Sequence, residues 1–187
     1  LHLETGDIAQ TIVNYPREVR LFSPRSDLEI GGYLFGPDPE KSPTRESYIR
    51  YLTELIRHFN LQIRTHVSIA RVETNGMGYR IIVKTGDGKI EKHLTRNIVV
   101  ATGGYYAPVL LDIPGEDSPN VSHYYRSEVP AEGAKVLVVG ARNSAVEAAT
   151  TMAQNKSEVI LAYRKARLPL KHIKPWLIPA FEEARKA

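Results

Sequence analysis

The sequence has 187 residues, 42% of them hydrophobic and 25% charged, with a formal net charge of +4 at pH 7 and no cysteine. That balance suits one ordinary globular domain or two small ones, and it excludes structural disulfides, a CxxC redox pair and thiolate metal sites within this chain. The 25 basic and 21 acidic residues are interleaved, so no polybasic tail argues for nucleic acid, and no apolar run approaches the roughly 20 residues that cross a bilayer.

The stretch from Leu1 to Thr44 carries Pro16, Pro24, Pro37, Pro39 and Pro43 and shows no sustained period, so no long regular element is expected there. Its start lacks both an initiator Met and a signal-peptide pattern, which suits a processed, trimmed or incompletely read product. From Arg45 to Phe59 the pattern turns helical. Tyr48, Ile49, Leu52, Leu55, Ile56 and Phe59 fall on one face, Thr44 stands at the N-cap and Glu46 lies in the first turn.

Strands are expected next. Leu61 to Val72 alternates loosely, Asn75-Gly76 and Gly78 mark a turn, and Tyr79 to Lys84 is rich in β-branched residues. Gly86-Asp87-Gly88 turns the chain again and Ile90 to Arg96 returns. Asn97 to Ala101 is a short continuous apolar run, the pattern of a strand buried on both faces, ending at Thr102-Gly103-Gly104. Prolines at 108, 114, 119 and 130 then mark a linker.

After the linker the order is strand, helix, strand. Lys135 to Val139 reads as a buried strand, a helix follows from about Ser144, and Val159 to Tyr163 is the second strand. This βαβ unit implies a parallel pair. A dinucleotide fingerprint places G-x-G-x-x-G or A between the first strand and the helix; here the window is Gly140-Ala141-Arg142-Asn143-Ser144-Ala145. Gly140 suits the tight turn and Ala145 suits close helix–strand packing. Arg142 replaces the middle glycine, so its side chain must turn outward, where it can fold over phosphates. Ser144 and the helix N-terminus offer donors and a positive dipole to an anion.

Cofactor choice is expected about 20 residues on, where the second strand ends. An acid there would bind the ribose hydroxyls of NAD, but the segment is Tyr163-Arg164-Lys165-Ala166-Arg167. Arg164 and Arg167 suit a 2′-phosphate, and NADPH is the expected cofactor. The six histidines show no HExxH or paired metal spacing, so no metal site is expected. Trp176, between Pro175 and Pro179, is expected to pack in a core or at a domain joint.

Several strings resemble the bacillithiol disulfide reductase family of thioredoxin-reductase-like flavoproteins. They are VLVVGARNSAVEAA (Val136 to Ala149), the AYR after the second strand, and IKPWLIPAFE (Ile173 to Glu182). NYPREVRLFSPRSDLEIG (Asn14 to Gly31), the helix entrance at Pro43-Thr44-Arg45, and VVATGGYYAPVLLDIPGED (Val99 to Asp117) are similar too. The resemblance implies an α/β flavoprotein with two Rossmann-like dinucleotide-binding domains, incomplete here at both termini. A partial FAD domain would span 1–113 and a partial NADPH domain 114–187. It also implies that Ala101, Thr102, Gly103 and Gly104 lie against FAD, that Ser23, Pro43 and Thr44 lie near the flavin, and that His66-Val67 lies near the adenine. The activity so implied passes hydride from NADPH to FAD and on to a low-molecular-weight disulfide such as bacillithiol disulfide. No residue of this chain is assigned a catalytic role, because the family's Gly-rich FAD loop and its redox Cys have no counterpart here. A ferredoxin–NADP reductase, a flavin monooxygenase and a non-catalytic nucleotide-binding remnant remain alternatives. The expected setting is cytoplasmic, with a small-molecule disulfide as partner, neither nucleic acid nor membrane, and self-association left open.

Overall fold

A computed structural model describes residues 1–74, 76–105, 107–125 and 132–186, and its contacts divide the chain into two units, Leu1–Arg126 and Ser127–Ala187. The first unit contains β1 (His2–Leu3), α1 (Gln10–Val13), α2 (Arg25–Leu28), α3 (Arg45–His58), β2 (Ile63–Arg64), β3 (Val67–Thr74), β4 (Tyr79–Thr85) and β5 (Ile90–Thr95). Before Thr44 the elements are only two to four residues long, as the spread of prolines requires.

The sequence places the start of α3 correctly. Thr44 Oγ1 accepts a hydrogen bond from the Ser47 N–H at 3.2 Å, while Glu46 in the first turn and Arg57 and His58 in the last complement the helix dipole. Its buried face differs from the expected one. Tyr48, Tyr51 and Leu55 pack with Phe35, whereas Phe59 is exposed. Tyr51, absent from the expected stripe, can be buried because its hydroxyl accepts from the Ile30 N–H and donates to the Tyr33 carbonyl, both at 2.8 Å. Tyr51→Phe strands both backbone groups and is expected to cost about 1–3 kcal/mol, read as a lowered urea midpoint with an unchanged slope.

The loose alternation of Leu61 to Val72 is two strands rather than one. The chain breaks at Thr65–His66, where His66 adopts φ +56°. β1 and β2 pair in parallel, His2 opposite Ile63, and β3, β4 and β5 form an antiparallel meander over Val67, Ile81 and Val83. The turn glycines behave as expected, with φ +82° at Gly76 and +85° at Gly88; Asn75 lies outside the described residues.

Arg64 on β2 grips Glu91 on β5 through both carboxylate oxygens, at 2.6 and 3.0 Å, and His93 Nε2 lies 3.1 Å from Glu91 Oε2. The Arg64 hydrogen bonds hold the Glu91 carboxyl down at about 2, from an ordinary 4.5, with a smaller contribution from His93. A carboxyl with a depressed folded value adds stability above its unfolded value, and that contribution disappears as pH falls from about 4.5 towards 2. Arg64→Met is expected to return the Glu91 midpoint towards 4.5, followed by carboxyl carbon shifts in an NMR titration.

The apolar run Asn97 to Ala101 corrects an expectation: it is not a strand, and Val99 and Val100 are 88% and 79% exposed. A strand needs neighbours to satisfy its N–H and C=O groups, and among the described residues none pairs with this segment. Residues 114–125 group with the first unit. The Glu116 carboxylate accepts from the Leu111 and Asp112 N–H groups at 2.8 Å, which holds its carboxyl below the usual range. The Tyr124 hydroxyl donates to the Tyr105 carbonyl at 3.2 Å.

The second unit contains β6 (Lys135–Val139), α4 (Asn143–Gln154), β7 (Glu158–Ala162), two 3-10 turns at Leu170–His172 and Pro175–Leu177, and α5 (Ile178–Ala184). β6 and β7 run parallel in register from Lys135 opposite Glu158 to Val139 opposite Ala162. Val146 of α4 is fully buried against Ile173 of the connecting segment and Phe181 of α5. Lys135 to Val139 was expected to be a buried strand, yet Leu137, and Ile160 beside it on β7, are each 61% exposed. Alternate residues lie inside and outside, because within this unit α4 and α5 supply apolar cover to only one face of the pair. Trp176 is likewise no core residue. It is 55% exposed, with the Lys174 ammonium 5.5 Å from its ring centre.

Candidate functional site

The C-terminal edge of the parallel pair is where the chemistry-bearing residues gather. Gly140 leaves β6 and its N–H donates to the Ala162 carbonyl of β7 at 2.9 Å. Its φ of +129° is open to glycine and strained for any other residue. A Cβ built at Gly140 would stand 3.4 Å from the Ala145 Cβ. Glycine is therefore required at 140 by the turn, and Ala145 lies next to it where helix and strand approach.

Arg142 is the N-cap of α4 in extended conformation (φ −97°) and is exposed, so the guanidinium in place of the middle glycine turns outward. No side chain caps the helix start, and its first turn holds no acid. The first-turn N–H groups and the exposed Ser144 thus face outward with the positive end of the helix dipole.

Because Val139 lies opposite Ala162, β6 and β7 end together, and Tyr163 begins the loop beside Gly140. Tyr163 is half-buried, and Arg164, Lys165 and Arg167 are exposed. Among the described residues neither Arg164 nor Arg167 enters an ion pair. The parallel register therefore brings the Gly140 turn and the basic loop to one edge.

Asn143 plays a part the sequence did not reveal. Its Oδ1 accepts the Lys174 N–H at 2.8 Å and so pins the Pro175–Leu177 turn to the start of α4. The signal, a polar residue whose partner lies 31 positions away, is invisible to local pattern. Glu147, one turn into α4, is half-buried, and burial holds its carboxyl above the usual range.

The residues assigned to the flavin by resemblance sit in the first unit. Ala101 to Gly104 form an exposed irregular segment that bends at Gly104, with open space at the Gly103 and Gly104 α-carbons and φ +70° at Gly103. Thr44 Oγ1 is engaged as the α3 cap, and Ser23 lies in the bend before α2. Pro43 is fully buried. The Val67 side chain is in the sheet core, and its N–H donates to the Glu4 carbonyl at 3.0 Å. His66 Nε2 lies 3.0 Å from Asp7 Oδ1. Tyr105 packs edge-on to Tyr15 at 5.6 Å, while Tyr106 lies outside the described residues. Among the described residues no cluster of three or more His, Asp or Glu is arranged to hold a metal.

A family model described as pyridine nucleotide-disulphide oxidoreductase matches residues 1–187. Bacilliredoxin reductase Bdr of Bacillus subtilis (strain 168) is 31% identical over 182 residues, 97% of this chain and 54% of that protein. The solved bacillithiol disulfide reductase Bdr of Bacillus cereus superposes with a TM-score of 0.91 at 31% identity, covering 98% of this chain and 56% of the other. Flavin-containing monooxygenase FMO GS-OX2 of Arabidopsis thaliana is 29% identical over 181 residues, 88% of this chain and 38% of that protein. The chain thus spans about half the length of the Bdr proteins it matches.

Proposed function

Because the chain belongs to the pyridine nucleotide-disulphide oxidoreductase family, we propose that it is part of an NADPH-dependent flavoprotein that reduces a low-molecular-weight disulfide. The single observation that carries this reading is the shared edge of β6 and β7. Gly140, the uncapped start of α4 and the Arg164–Arg167 loop all stand there.

The residues present fit a phosphorylated dinucleotide. The glycine-only turn and its close approach to Ala145 let a pyrophosphate reach backbone N–H groups. Gly140 and Ser144 would bind it, Arg142 would fold over it, and Arg164 and Arg167 would take the 2′-phosphate. Asn143 would act by fixing the neighbouring turn rather than through its carbonyl, which Lys174 already occupies. Tyr163 and Ala145 would line the crevice. When bound, NADPH supplies a hydride that FAD relays as two electrons to the disulfide, giving NADP⁺ and two thiols with one further proton taken up. The protein contributes binding, orientation and exclusion of water.

On the flavin side, the exposed segment Ala101 to Gly104 fits backbone contact with FAD. The chain holds no cysteine, so any thiol in the relay would come from outside it. The similarity of Bdr, whose name is that of a reductase, favours a disulfide acceptor. The comparably long match to a flavin monooxygenase supports oxygen as the second reading. A cytoplasmic setting is part of the same proposal; among the described residues no helix is long and apolar enough to cross a membrane.

Titration of the chain with NADPH and NADH, followed by nicotinamide fluorescence, tests the reading. Saturable binding that favours NADPH is expected. Equal affinities would remove the 2′-phosphate assignment, and no saturation with either would remove the dinucleotide site.

A further inference from the structure

The chain has a single tryptophan, and the fold holds it out in solvent beside the candidate dinucleotide site. The turn that carries it is anchored on both sides. Ile173 is 4% exposed and Leu177 is partly buried, and both pack with Val146, one turn into α4. Between them the Lys174 N–H donates to Asn143 Oδ1 at the first residue of α4, and the Leu177 N–H donates to the Lys174 carbonyl at 2.9 Å. Pro175 fixes its own backbone angle. Trp176 therefore stands on a rigid support, 55% exposed, with the Lys174 ammonium 5.5 Å from its ring centre.

The basic loop is tied to the same place. Leu168, directly after Arg167, joins the Val146 cluster too, so the chain from the loop to the Trp176 turn runs beside the start of α4. From Tyr163 to Phe181 there are five Lys or Arg and no acid. An indole with one apolar surface open to water, set among cations and next to an uncapped helix start, matches a ligand that carries both an aromatic ring and phosphates.

We propose that Trp176 and Lys174 form the wall of the dinucleotide site on its adenosine side, the indole stacking on the adenine base and the ammonium facing the phosphates. This rests on the dinucleotide reading above and adds the residues that recognise the base. Stacking on an aromatic ring suits any base, because each has a π face. Lysine acts on phosphate as a point charge, without the fixed geometry of the arginines. Asn143 is a positioning residue here: it holds the turn and leaves the ligand to its neighbours. Because NADPH and NADH share the adenosine, this wall raises the affinity for both, whereas Arg164 and Arg167 separate them.

The test uses the full chain, in which indole emission reports position 176 alone. Adenosine 2′,5′-bisphosphate, which has base and phosphates but no nicotinamide, is expected to quench that emission saturably and to shield it from acrylamide. Inorganic pyrophosphate, which has no base, is expected to leave it nearly unchanged. In calorimetric titrations Trp176→Leu is expected to weaken NADPH, NADH and the bisphosphate alike, by roughly tenfold, and Trp176→Tyr to recover most of the loss. Lys174→Gln is expected to weaken the bisphosphate several-fold, and with the quenching of the native chain it decides the matter should Trp176→Leu fail to fold. Nucleotide binding without quenching, or with equal affinity in the native chain and Trp176→Leu, overturns this wall and leaves the dinucleotide site standing. Absence of any nucleotide binding overturns both.

Discussion

Replacing Arg164 and Arg167 together by Ala is expected to weaken NADPH binding about a hundredfold while leaving NADH almost unchanged. Both side chains are exposed just past the end of β7, so neither supports the core and their removal leaves the fold standing. A charge-assisted hydrogen bond to a phosphate is worth roughly 1.5–3 kcal/mol, or one to two decades in affinity. Solvent and salt reduce this at an exposed edge, which places the pair near the lower end of the sum. The same screening gives a second signature. The preference for NADPH should shrink as salt is raised in the native chain and should be insensitive to salt in the double variant. Lys165, between the two, serves as control, and Lys165→Ala is expected to have the smaller effect. Isothermal titration with both cofactors decides. Equal losses for NADPH and NADH would mean that the arginines act on overall charge and not on the extra phosphate.

Val146→Asp is expected to unfold Ser127–Ala187 while the first unit keeps its own transition. Val146 is 0% exposed and sits against Ile173 and Phe181, one turn behind the start of α4. No described group in that cluster can pair with a carboxylate, and an uncompensated buried charge costs several kcal/mol after relaxation. A unit of this size has only a few kcal/mol of stability to lose. Val146→Ala, which removes two methyl groups without adding charge, is expected to cost about 2 kcal/mol and to leave the unit folded. Amide correlation spectra with thermal unfolding distinguish the outcomes. Loss of dispersed signals throughout the chain would show that the two units stand or fall together; their survival throughout would show that the packing at Val146 matters less than its burial implies.

Some features of this protein follow from neighbours in sequence alone. Thr44 caps α3 because a hydroxyl three residues before an N–H reaches it in any helix start. The order β6, α4, β7 follows from two apolar runs flanking a 3.6-residue pattern, and the Gly140–Ala145 spacing places the small residues where strand and helix meet. Gly76 and Gly88 turn the meander for the same local reason. The candidate dinucleotide site was legible because its parts lie within one short βαβ unit.

Other features depend on what lies across from a residue, which no local pattern records. An apolar run reads alike whether it becomes a strand or an exposed segment; at Asn97 to Ala101 the backbone finds no pairing partner among the described residues. Leu137 and Ile160 look like core, yet the packing of α4 and α5 gives the sheet apolar cover on one face alone. Tyr51 enters the core only because Ile30 and Tyr33 bring backbone groups to its hydroxyl. The Asn143 tie to Lys174 joins residues 31 positions apart. Spacing along the chain determines local geometry, whereas burial and partnership are properties of the assembled fold.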